Sequence, residues 1–213
     1  MSEIAAKPAE VAEGTGARER ILEAACDLIA ADGIDEVRIA RVAMRAGAST
    51  ALVHHYFSTR EELLEQALLH SFQLAADERF GEDEPAAGET PTQALARAIR
   101  TSLPEAGEPE REWVLWVELW LRAVREPKLR PVAAVLYARY RAWLTVLVQS
   151  GMDAGEFKGE DAGAVADHAM ALLDGFGLRA LLRDPAMDLD RARRTVAELL
   201  GEKLGVDPEE LMT

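Results

Sequence analysis

Two adjacent histidines, His54 and His55, are the first side chains that could do chemistry, because imidazole binds metals and carries protons near neutral pH. Their spacing argues against both uses. Neighbouring residues on a helix point about 100° apart and cannot close on one ion. The other histidines, His70 and His168, stand alone in sequence. The single cysteine, Cys26, falls inside a helical pattern with no histidine nearby, so no nucleophile with its base is apparent. No catalytic residue, metal site or cofactor is expected, and the two histidines are read as part of a contact surface.

A second set is aromatic. Trp113, Trp116 and Trp120 follow i, i+3, i+7, and Tyr137, Tyr140 and Trp143 follow i, i+3, i+6 on a later helix. A core built of oversized side chains accounts for most of them. Four tryptophans, however, bring four N–H groups that a dry core must satisfy. A cavity lined by these rings, with Glu112, Glu118 and Asp174 able to add negative charge, would suit an apolar or a cationic small molecule, since ring faces attract cations.

The elements that must position these residues read as all-α. No period-2 alternation bounded by turn clusters signals a strand. Apolar residues at 3.6-residue spacing predict a first helix over about Ala17–Ala31, with Ile21, Leu22, Ala25, Leu28 and Ile29 on one face and Gly33 ending it. A short second helix spans about Ile39–Arg45. The "AGAS" stretch breaks it, and Ser49 can cap a third helix running through Tyr56. Thr59 with Glu62 three residues later makes a capping box for a fourth. Acidic Pro/Gly stretches at 81–90 and 104–109 read as linkers, followed by helices over about 110–125, 131–154, 162–182 and 189–204. The expected division is a flexible arm over 1–16, a three-helix domain over 17–60 and a larger helical domain over 61–213.

At 213 residues and 49% hydrophobic, the chain can bury a sizeable core. One cysteine, no signal-peptide core and no long apolar run lead to the expectation of a soluble cytoplasmic protein without membrane contact. A net charge of −14 argues against a nucleic-acid partner until its distribution is considered. Residues 1–60 carry net −2 and residues 61–213 net −12. From Val37 to Arg60 four arginines, Arg38, Arg41, Arg45 and Arg60, occur without one acidic residue.

That window holds the two short helices. Neither can bury enough area alone, so both must pack on the first helix. The connection Ala46-Gly47-Ala48 suits two helices crossing steeply, the helix-turn-helix arrangement, whose second helix enters a major groove roughly 12 Å wide. Ser49, Thr50, Ala51, His54 and His55 are short, neutral or basic, as that surface requires. Val53 and Phe57 fall on the opposite face and are expected in the core.

The last two long helices carry apolar stripes, Val165, Ala169, Leu172, Leu173 and Phe176 on one, Val196, Leu199 and Leu200 on the other. Paired hairpins from two chains would make a four-helix homodimer interface. A monomeric bundle core is the alternative.

"RILEAACDLIAADG" with "IARVAMRAGASTALVHHYFSTREELL" resembles the DNA-binding domain of the TetR family of ligand-responsive repressors. The second domain, through "VELWLRAVREPKLRPV", "YRAWLTVLVQSGMDAGEF" and "ALLDGFGLRALL", is similar to the regulatory domain of the choline-responsive BetI-type subgroup. The resemblance implies a homodimeric regulator released from a pseudo-palindromic operator by a small molecule that shifts the fourth helix. It assigns base edges to Thr50, Ala51 and His54 and phosphates to Ser49, His55, Tyr56 and Arg60, with Arg38 able to reach a further phosphate; Arg41 and Arg45, on the outer face of the second helix, are read either as phosphate contacts or as plain solvated charges. His54 stands where the family often has Tyr, and Val37 and Arg38 replace the Ser/Thr pair that normally caps the second helix. An all-α interaction module would leave the turn and the acid-free window unexplained. A small all-α enzyme would need a converging acid/base set.

Overall fold

The computed structural model describes residues 9–80, 88–105, 107–159 and 161–212, and among these the chain is helical with no strand. It divides into two compact units, Met1–Gln73 and Leu74–Thr213. The boundary therefore falls inside the fourth helix, not at the expected residue 60. Residues 1–8 and 81–87, covering half of the expected arm and most of the acidic linker, lie outside the described residues.

The first unit begins with α1 (Ala9–Asp32), so the stretch expected to be an arm is helical from Ala9. Its apolar face buries Ile21, Leu22, Ala25, Leu28 and Ile29 at 5% exposure or less. A single 3-10 turn (Ile34–Glu36) leads to α2 (Ile39–Arg45) and α3 (Thr50–Tyr56), and α4 (Arg60–Phe80) follows. Val42 and Ala43 of α2, Val53 of α3 and Phe57 just beyond it are buried in this unit, as the spacing predicts. From α4, Leu63, Leu64, Ala67 and Leu68 complete the core. The Cys26 thiol is fully buried and donates to the Ala67 carbonyl at 3.1 Å.

The turn between α2 and α3 depends on Gly47, whose φ of 63° lies in the left-handed region that other residues enter at a cost. The reversal is closed by Ala48 N–H donating to the Ala43 carbonyl at 2.9 Å. Ser49 then caps α3, its hydroxyl accepting from Leu52 N–H at 3.1 Å. At the head of α4, Thr59 accepts from Glu62 N–H at 3.0 Å, while the Glu62 carboxylate reaches one residue further back, to Ser58 N–H at 2.8 Å. No side chain caps α2.

The second unit contains α5 (Pro91–Thr101), α6 (Glu108–Arg125), α7 (Arg130–Asp153), α8 (Ala162–Leu181) and α9 (Leu189–Leu204), with 3-10 turns at Pro127–Leu129 and Pro208–Leu211. Helix α5 is absent from the sequence reading. It has a complete capping box between Thr90 and Gln93, and it buries Ala94, Leu95, Ala98 and Ile99.

The expected dimer stripe is redistributed. Val165, Ala169, Leu173, Val196 and Leu200 are at most 3% exposed and belong to the chain's own core, where α8 packs between α7 and α9. Leu172 and Phe176 pack half-buried against that core, and Leu199 is 44% exposed. An apolar stripe reports that something covers it, without saying which chain does. Of the eight residues, only Leu172, Phe176 and Leu199 keep surface for a partner.

Candidate functional site

In the first unit, the α2–turn–α3 arrangement presents Ser49, Thr50, Ala51, His54 and His55 as exposed residues of one short helix and its cap. Tyr56 is half-buried and meets the edge of His55, with ring centres 5.2 Å apart. No carboxylate stands on α3 itself. The histidines expected to contact a partner are thus available to do so, and no three His, Cys, Asp or Glu side chains converge on a metal-sized site among the described residues.

The arginines tell a different story. Arg41 pairs with Asp32 at 2.6 Å and Arg45 with Asp27 at 2.8 Å, both acids coming from α1. A window free of acid in sequence is therefore not free of acid in space. Both pairs are roughly half-exposed, and such pairs are worth about 0–1 kcal/mol, so exchanging carboxylate for phosphate is energetically open to them. Arg38 turns back on its own loop, bonding the Asp35 carbonyl at 2.5 Å.

Arg60 is the clearest departure from its expected role. Its guanidinium donates to the carbonyls of Val37 at 2.7 Å, Ile34 at 2.6 Å and Asp35 at 3.1 Å. It clamps the 3-10 turn that leads into the uncapped α2. Charge-assisted bonds to carbonyls are among the stronger hydrogen bonds, so Arg60 fixes the chain that enters α2. Its partners lie 23 to 26 residues upstream, a separation that no local pattern reveals.

In the second unit, α6 and α7 bring the aromatic set together. Trp113, Trp116, Trp120, Tyr137, Tyr140 and Asp174, with Ser102, line a recess of about 450 Å³ of non-atom space, its open mouth included. Trp120 lies nearly parallel to Tyr137, 6.5 Å between centres at 14°, and Trp116 leans on Tyr137 at 5.8 Å. Trp113 meets Trp120 edge-on at 6.1 Å and 89°. The result is a box of ring faces on two helices, closed on the α8 side by one carboxylate.

That carboxylate, Asp174, accepts from the Tyr137 hydroxyl at 2.8 Å. Burial raises its pKa above the ordinary carboxylate range, and the bond from Tyr137 only partly opposes this. Burial, then the neighbouring Asp174, push the Tyr137 hydroxyl far up, so it stays protonated and donates. Trp113 Nε1 donates to the Ser102 carbonyl at 3.2 Å. Trp120 Nε1 is buried without a geometrically closed hydrogen bond, although it lies near enough to the Tyr137 hydroxyl to lower that group's pKa slightly against the larger opposing effects. The box thus holds a half-buried carboxylate that accepts from a hydroxyl, and partial desolvation of this kind disfavours its charged form.

Two expected residues are missing from the lining. Glu118 lies about 140° around α6 from Trp113 and turns away from the rings. Trp143 is 5% exposed and stacks on Tyr140 from the core side, because i+6 rotates a residue about 120° off the face that i+7 would keep. Two contributors were not foreseen. Ser102 enters through its backbone, which has no sequence signature. Gly177 lies where an added Cβ would stand 2.3 Å from the Trp113 ring, so its missing side chain sets how deep that indole sits.

The known proteins agree with both halves. The family profile for bacterial regulatory proteins, tetR family, matches residues 21–67, and the profile for the BetI-type transcriptional repressor C-terminal domain matches residues 91–205. The HTH-type transcriptional regulator BetI of Cronobacter sakazakii is 25% identical over 198 residues, covering 91% of this chain and 94% of its own. That of Rhizobium meliloti is 26% identical, covering 81% and 82%. Among solved structures, a transcriptional regulator from Saccharomonospora viridis in complex with choline superposes with a TM-score of 0.79 at 29% identity, covering 89% of this chain and 98% of its own. A TetR-family regulator from Rhodococcus sp. gives 0.72 at 26%, covering 89% and 99%.

Proposed function

The chain belongs to the TetR family of bacterial regulatory proteins and carries a BetI-type C-terminal domain, and from that premise we propose a repressor released from its operator by an organic cation held in the aromatic box. As a member it is a DNA-binding transcriptional regulator. The observation that carries the effector reading is the box itself, with the rings of α6 and α7 lining it and the half-buried Asp174 carboxylate at its α8 side. Such a site attracts a desolvated cation more strongly than a neutral molecule of equal size. The 29%-identical relative that binds choline supports the same reading.

Two copies of the chain would set two α3 helices in successive major grooves, with half-sites about 34 Å apart. Thr50, Ala51 and His54 would read base edges. Ser49, His55 and Tyr56 would fix orientation on phosphates, joined by Arg41 and Arg45 once they leave their carboxylates. Arg38 and Arg60 would support the reading helices indirectly. Because α4 runs across the boundary between the units, a change of α4 is the route by which effector binding would reach the reading helices. A coupling of 1 to 3 kcal/mol would weaken operator binding about 5- to 150-fold.

A gel shift on DNA from upstream of the chain's own coding region, titrated with tetramethylammonium and with neutral neopentanol, tests the whole reading. Binding relieved by the cation alone supports it. A shift relieved equally by both would leave a regulator with an apolar effector, and no shift at any salt concentration would remove the operator assignment.

A further inference from the structure

The groove between α6 and α7 does not stop at the box. One helical turn beyond Trp120 on α6, and one turn before Tyr137 on α7, a second recess is lined by Trp120, Ala123, Val124, Arg130 and Ala133. It is an open space of about 850 Å³ with its mouth included. Trp120 is the shared wall: its ring faces the box and also borders this recess. The lining is apolar apart from Arg130, whose guanidinium donates to the Ala123 carbonyl at 3.2 Å and the Val124 carbonyl at 3.3 Å. These two backbone acceptors of α6 are therefore already bonded, and what Arg130 adds alongside the recess is its aliphatic stem. Val124 itself is 72% exposed, an apolar side chain held in water beside a cation-binding box.

We propose that this recess is a subsite for an apolar tail, so that the preferred effector is an alkyl-bearing quaternary ammonium compound and not a small cation alone. The proposal rests on the cationic reading of the box. The head would sit among Trp113, Trp116, Trp120 and Tyr137, and the tail would pass the edge of Trp120 onto Ala123, Val124 and Ala133. One helical turn is about 5.4 Å, the reach of roughly four methylenes, so the subsite should fill at about that chain length.

Isothermal titration of the full chain with tetramethylammonium and then butyl-, hexyl- and octyltrimethylammonium tests this. Affinity should rise about threefold per methylene over the first four and then level off. Val124→Asn makes the recess polar and Ala133→Leu fills it. Each should flatten the series while leaving tetramethylammonium affinity within about twofold, because neither residue touches the box. If tetramethylammonium binds but longer chains bind no better, the tail subsite is overturned and the cationic box stands. A rise that persists in both variants places the tail elsewhere and overturns it too. If no member of the series binds, the cationic reading fails and the subsite fails with it. Sedimentation of Val124→Asn provides the remaining check: a changed oligomeric state would assign the recess to a contact between copies of the chain, against the proposal.

Discussion

The two units treat charge in opposite ways. In the reading unit each arginine of the 37–60 window already has an acceptor, a carboxylate for Arg41 and Arg45 and backbone carbonyls for Arg38 and Arg60. In the second unit the half-buried Asp174 has, among the described residues, a hydroxyl and no basic side chain as its partner. A satisfied charge holds a surface in shape, whereas an unsatisfied one stores free energy that a ligand can release. On the proposed function, the contrast would let one unit present a fixed helix to a polyanion while the other responds to a small cation.

Removing the unsatisfied charge is the strongest way to break this contrast. Asp174→Asn keeps an acceptor for Tyr137 and should weaken tetramethylammonium binding roughly 10- to 100-fold by calorimetry. Without ligand the variant should melt slightly higher than the parent, since a partly desolvated carboxylate is replaced by a neutral amide. The pH dependence follows from the same group. Its pKa is raised in the folded chain, so the folded state holds that proton more tightly than the unfolded one, and this group's contribution to stability grows as pH falls through the raised pKa. A cation needs the carboxylate form, so affinity should fall over the same acid range and level off above it. Asp174→Asn should abolish that slope.

Gly177→Ala comes next. The new methyl collides with Trp113, and overpacking of this kind costs about 1–3 kcal/mol. Thermal melts should show the loss, and cation affinity should drop about tenfold as the indole moves into the box.

Arg60→Lys sharpens the other side of the comparison. Lysine keeps the charge but cannot span three carbonyls, so the clamp reading expects a stability loss of about 1–3 kcal/mol. Operator binding should weaken with an unchanged salt slope. Were Arg60 a phosphate contact instead, lysine would largely preserve binding.

Smaller effects are expected at the paired arginines. Asp27→Asn with Asp32→Asn frees Arg45 and Arg41 at a stability cost of under about 1 kcal/mol per pair. Non-specific DNA binding should tighten and its salt slope steepen by about one to two. The smallest change belongs to the histidines. His55→Ala should weaken binding evenly across sequences, while His54→Tyr should alter sequence preference, both read by competition gel shifts.

Local features of the fold were the legible ones. The bounds of α2 and α3, the Ser49 cap and the Gly47 turn rest on interactions within a few residues, and the burial of Val53 and Phe57 follows from helical spacing, which decides the face a residue takes. Helix α5 was equally available, since Thr90 and Gln93 carry the same capping-box spacing read at Thr59 and Glu62, but its acidic, Pro/Gly-rich approach reads as more linker. The pocket was readable to within a rotation: i, i+3, i+7 keeps one face, and the drift at i+6 removes Trp143. What the sequence could not supply are partners distant along the chain. Asp27 and Asp32 reach into the acid-free window, Arg60 reaches back to Ile34, and the packing of α8 between α7 and α9 buries five of the eight residues expected to meet a second chain.

Cys26 offers a use for one of these distant contacts. It is the only thiol in the chain, and it is sealed between α1 and the Ala67 carbonyl of α4. A disulfide reagent can reach it only when the reading unit opens, so its labelling rate at native pH is a clock for that opening alone, silent about the rest of the molecule. Timed with and without operator or effector, the clock would reveal whether either ligand tightens or loosens the unit that grips DNA.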